Sequence, residues 1–110
     1  MNVSFEEIGR LSATFALSGG EGGQVCTLAG NGKVTACAEN EKFCGVIEGV
    51  RGDYAAVQVA GFAAVGYSGS LNAGYVNLCA DGKGGVKAGT GREHLVVSVD
   101  EAAKIAVIKL

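Results

Sequence analysis

At 110 residues, with nine Lys plus Arg against eleven Asp plus Glu and a formal net charge of −2, the chain is the size of one domain and carries no block of positive charge. Nucleic-acid binders need clustered cations to displace counterions from phosphates, so direct binding to DNA or RNA is not expected. Nineteen glycines, no proline and no tryptophan suit a chain of tight turns and close backbone contacts around a modest core.

The opening MNVSFEEIGR is acidic and lacks the apolar segment of a signal peptide, and no apolar run approaches the roughly 20 residues that span a bilayer. The expectation is synthesis in a cytosol-like compartment, no membrane partner, and four cysteines (Cys26, Cys37, Cys44, Cys79) held as thiols. Ser4 and Glu7 have capping-box spacing, with Phe5 and Ile8 on one face. Residues 1–11 therefore read either as a helical turn or as an extended arm, and residues 12–110 as a single β-barrel domain.

From Ser12 onward, apolar runs alternate with glycine turns. The predicted strands are Ala13–Leu17, Gln24–Ala29, Lys33–Ala38, Phe43–Val50, Tyr54–Tyr67, Tyr75–Ala80, Gly85–Ala88, Leu95–Val99 and Lys104–Leu110. Turns fall at Gly19–Gly23, Gly30–Gly32, Arg51–Asp53, Asp81–Gly84 and Asp100–Ala102, where Asn-Gly and Asp-Gly pairs adopt positive φ cheaply. With no room for crossover helices, the fold class is all-β: a small Gly-rich antiparallel β-barrel or sandwich built from short hairpins.

Phe43–Tyr67 reads as two long strands around Arg51-Gly52-Asp53, apolar on both faces. Such strands are covered on both sides, and in so short a chain the second cover is expected to be a neighbouring subunit. Leu95, Val97 and Val99 share one predicted face opposite His94, Val96 and Ser98, while Ile105 and Val107 lie opposite Ala106, Ile108 and Leu110. Phe62, Val96 and Ile108 are thus the expected subunit-interface residues.

Sites of chemistry are harder to find. Neither Gly19–Gly23 nor Gly82–Gly85 carries a Gly-Lys-Ser/Thr, so both read as turns and not as phosphate cradles. The cysteines lack the close pairing of a zinc site, although Cys26, Cys37 and Cys44 converge if their strands are neighbours; small buried hydrophobes are the default. His94, the sole histidine, has no local motif pairing it with a thiol nucleophile. Arg51-Gly52-Asp53 is a hairpin turn. No cofactor, no metal and no enzymatic activity are expected.

The order of these parts is recognisable. Gly23-Gln24-Val25, Gly30-Asn31-Gly32-Lys33-Val34 and Phe43-Cys44-Gly45-Val46-Ile47-Glu48 resemble the capsid cement (head-decoration) proteins of tailed phages and prophages. The resemblance continues through Ala56–Gly61, Gly69–Val76, Leu95–Asp100 and Ile105–Leu110, so it covers about Gln24 to Leu110. It is a pattern of glycines and β-branched residues; the Cys- and Ala-rich interior and the N-terminal part depart from it. It implies a homotrimer, made in the host cytoplasm, that sits on the outer capsid surface, binds the major capsid protein and stabilises the expanded shell. The N-terminal segment and the Gly19–Gly23 loop lie outside the core pattern, so Phe5, Glu6, Glu7, Ile8 and Glu21 are the expected capsid contacts. The alternative is a small β-barrel binding or assembly module, carbohydrate-binding or subunit-assembly in kind.

Overall fold

The computed structural model describes residues 10–110, among which there are ten β-strands and no helix. Strands β1 (Leu11–Gly19), β2 (Val25–Gly30), β3 (Lys33–Ala36), β4 (Gly45–Arg51) and β5 (Tyr54–Ala60) close into a barrel in the order β1-β3-β2-β4-β5. Strands β6 (Phe62–Gly66), β7 (Gly74–Ala80), β8 (Val86–Ala88), β9 (Arg92–Asp100) and β10 (Ile105–Lys109) make a second sheet ordered β6-β10-β9-β7-β8. The all-β class and the hairpin turns are as expected. One pairing is not antiparallel: β1 runs parallel to β3 and antiparallel to β5, and this double pairing closes the barrel.

The predicted strand Tyr54–Tyr67 is broken in two. Gly61, at φ 90°, turns a corner between β5 in the barrel and β6 in the second sheet. A positive φ is cheap only for glycine. The corner is tied from two directions: Gln58 Nε2 donates to Ala60 O at 3.1 Å and to Phe62 O at 2.7 Å, and Leu110 N donates to Gly61 O at 2.9 Å. Gln58 is buried, so those bonds also satisfy an amide that would otherwise be costly inside the protein.

Two cores result. Cys26, Val34, Ile47, Ala55 and Val57, with Phe15, Leu17 and Val59 against them, fill the barrel. Val25, Cys37, Phe43 and Val46 point out of it and join Val65, Leu78, Val86, Val96, Ala106 and Ile108 beneath the second sheet. In β2 and β4 successive residues therefore serve different cores: Val25 against Cys26, Val46 against Ile47. The expected second cover of Phe43–Val50 is the chain's own second sheet and not a neighbouring subunit. Gly45 marks a tight crossing, since a Cβ there would overlap the Gln58 carbonyl oxygen of β5.

Loops are fastened by carboxylates. Asp81 Oδ1 accepts from Lys83 N at 2.7 Å and Gly85 N at 3.0 Å, and its Oδ2 accepts from Ser68 Oγ at 2.7 Å. Asp100 Oδ1 accepts from Ala102 N and Ala103 N, both at 3.1 Å, shaping the β9–β10 turn.

Truncating a core side chain leaves a cavity the close-packed sheets cannot refill. Ile108→Ala, at a fully buried position, is expected to lower unfolding free energy by about 2–5 kcal/mol. Leu28→Ala, on the exposed β2–β3 hairpin, should stay within about 0.5 kcal/mol. Urea unfolding followed by circular dichroism measures both.

Candidate interaction surface

The outer face of the second sheet follows from its register, because residues directly paired across an antiparallel ladder share a face. Phe62 pairs with Lys109, Lys109 with Leu95, and Leu95 with Tyr75, giving one row across four strands. Beside it run Ala64–Val107–Ser98 and Gly66–Ile105–Asp100. The inner rows, Ala63–Ile108–Val96 and Val65–Ala106–Val99, lie against the core. Tyr75 is 72% exposed and Ile105 41%, while Phe62, Leu95 and Val107 are half-buried. The surface is thus largely apolar, with one lysine, Lys109, in the row that runs from Phe62 to Tyr75.

Two of the three expected interface residues are not on it. Val96 and Ile108 are 1% and 0% exposed, consumed by packing inside the domain. They point inward because the alternation of β9 and β10 runs opposite to the face that was expected to be free. A bulge adds a further change: Ile108 pairs with Val96 and Val107 with Ser98, so Val97 is an extra residue, and Val99 packs on the core although it was predicted to share a face with Leu95. Phe62 lies on the outer face, half-buried.

Of the expected capsid contacts, Phe5, Glu6, Glu7 and Ile8 lie outside the described residues. Glu21 is exposed in the β1–β2 connection, where its N donates to Gln24 Oε1 at 2.9 Å. Arg10, where the described chain begins, is ion-paired with Glu48 of β4. Arg10 and Gly23 both line a depression of about 290 Å³ whose floor includes Val46, Gln58 and Phe62. Arg10 and the glycine loop therefore meet one groove at the seam between barrel and sheet.

The remaining motifs resolve into structure. Gly52 sits at φ 58° in the β4–β5 turn, as the hairpin reading of Arg51-Gly52-Asp53 requires. Gly19–Gly23 and Gly82–Gly85 join strand to strand. Cys26, Cys37 and Cys44 do gather at one end of the barrel, yet among the described residues no group of three or more His, Cys, Asp and Glu is arranged to hold a metal ion. His94 stacks on Phe43 with ring centroids 4.8 Å apart, and its Nδ1 meets Lys109 O at 2.8 Å. The neutral tautomer carrying the proton on Nδ1 donates that bond, and Nε2 is buried without a partner.

No family model matches this sequence, and no curated protein matches it.

Burial depresses the His94 pKa, against a smaller opposing effect of the bond to Lys109 O. In the unfolded chain the imidazole takes up a proton at about pH 6.5, earlier than it can in the fold. Stability is therefore whole above that pH and falls as pH drops below it. Melting temperature measured from about pH 7 to 5.5 should fall in the wild type and in Cys44→Ser, and should be flatter in His94→Gln.

Proposed function

We propose that this chain is a non-enzymatic capsid decoration protein that assembles through the outer face of its second sheet and stabilises an expanded phage or prophage head. The observation that carries the reading is that face: Phe62, Leu95, Val107, Ile105 and Tyr75 are turned away from a core that is already filled. Contiguous apolar surface of this kind marks association sites in soluble proteins. The trimeric state and the capsid as partner rest on the resemblance of Gln24–Leu110 to cement proteins. The groove shared by Arg10 and Gly23 supports a single attachment region for the N-terminal segment and the glycine loop. A module that binds only the expanded shell stabilises it by mass action, and several weak contacts per trimer add through avidity.

A second reading, a carbohydrate-binding barrel module, draws on Tyr54. Its ring is 59% exposed and lines, with Arg51, Thr14 and Val50, a shallow depression of about 580 Å³. Glycan sites use such aromatic platforms. A monomer that binds glycans and loses them on Tyr54→Ala would favour this reading.

Native mass spectrometry over a range of concentrations is expected to show a trimer. Ile105→Glu combined with Tyr75→Glu, both at exposed positions, should dissociate it by about tenfold or more, as buried like charges cost several kcal/mol. A trimer untouched by both changes would remove the sheet face as the interface. Deleting residues 1–9, which spares the Arg10–Glu48 pair, should leave the fold intact and weaken binding to expanded shells in a sedimentation assay.

A further inference from the structure

The three thiols at the barrel end differ in exposure and in the core they join. Cys44 is exposed, immediately before β4; Cys26 is fully buried in β2 and points into the barrel. Cys37 is buried in the other core, beneath the second sheet. Cys44 N donates to Cys26 O at 2.8 Å, and Cys26 is in register with Gly45. That main-chain bond, one position off the direct pairing, holds the two backbones side by side, as a disulfide, which spans α-carbons roughly 4.4–6.8 Å apart, requires. The Cys26 thiol donates to Gly45 O at 3.6 Å and lies within hydrogen-bonding reach of the Cys44 thiol.

We propose that Cys26 and Cys44 are a redox pair that closes to a disulfide when a peroxide reaches Cys44. The chemistry divides between them. Contact with the Cys26 thiol lowers the Cys44 pKa to about 7, so a large share is thiolate at neutral pH. The same contact, together with burial, pushes the Cys26 thiol up and keeps it protonated. Burial also pushes Cys37 up to about 12, which leaves it inert.

The Cys44 thiolate attacks one oxygen of hydrogen peroxide; the O–O bond breaks and hydroxide leaves, taking up a proton as water. Cys44 is then a sulfenic acid, two electrons poorer. The Cys26 sulfur attacks the Cys44 sulfur, the S–O bond breaks, and the departing hydroxide takes the Cys26 proton as a second water. The sum is two thiols and one peroxide giving one disulfide and two waters. The inference is independent of the decoration reading.

Trypsin separates all four cysteines, because Lys33, Lys42, Arg51 and Lys83 put Cys26, Cys37, Cys44 and Cys79 on different peptides. The full-length reduced protein is treated with one equivalent of hydrogen peroxide, blocked with iodoacetamide and digested without reductant. The expected result is an intact mass lower by about 2 Da before blocking, a peptide pair joining Cys26 to Cys44, and full reversal by dithiothreitol. Cys44→Ser, a surface change that should not disturb folding, should abolish the mass loss, and Cys79→Ser should leave it in place. Stable sulfinic or sulfonic acid on Cys44 with no bridge, a bridge to Cys37 or Cys79, or an unchanged mass loss in Cys44→Ser would each overturn the proposal.

Discussion

Strands β2 and β4 hold the molecule together because each belongs to two cores at once. Val25 and Val46 reach the sheet core, and Cys26 and Ile47 reach the barrel core, one residue further along each strand. Side-chain direction in a strand repeats every second residue, so a slip of one position would exchange both sets. The barrel core would receive residues shaped for the sheet core, and the reverse. Register is therefore specified twice over in these strands, and the rest of the fold is arranged around that fact. Gly45 lets β4 approach β5 closely there, and the Gln58 amide secures the corner by which the chain leaves one core for the other.

Much of this was legible. The punctuation by Asn31-Gly32, Gly52 and Asp81-Gly82 placed the hairpins at 30–32, 51–53 and 81–84, since those turns depend on φ preferences a local sequence declares. The two-sided apolar character of Phe43–Val50 was also legible, and so was the need for two covers. What covers the second side was not. Periodicity reports that a face is buried, not by what, and the chain's own second sheet competes with any neighbour for that place. Gly61 was read through as part of one long strand because a lone glycine between Ala60 and Phe62 does not disclose its φ. The inversion of Val96 and Ile108 has the same origin: β10 is apolar on both faces, and only the bulge at Val97 and the burial of Ala106 reveal the inward one.

The outer face of the second sheet differs from the two cores in one respect that bears on association. Its apolar residues are interrupted by Lys109, flanked by Phe62 and Leu95 in one row. A lysine can lay its hydrocarbon stem along apolar neighbours and keep its ammonium in water. Such a surface resists indiscriminate sticking while leaving area for a partner that supplies an acceptor for the charge. The cysteine end of the barrel contrasts with it, since its exposed thiol is backed by a buried one and the pair rests on main-chain geometry set by β2 and β4.

The order of strands also shapes how the protein is made. Residues 11–60 supply every barrel strand, so the barrel can close while later residues are still being synthesised. The sheet cannot, because β10, the last strand in sequence, lies between β6 and β9. Until it inserts, the core that covers Val25, Phe43 and Val46 lacks Ala106 and Ile108. A nascent chain short of its final strand would present an incompletely covered apolar core to chaperones or to another nascent chain, a consequence written into the strand order.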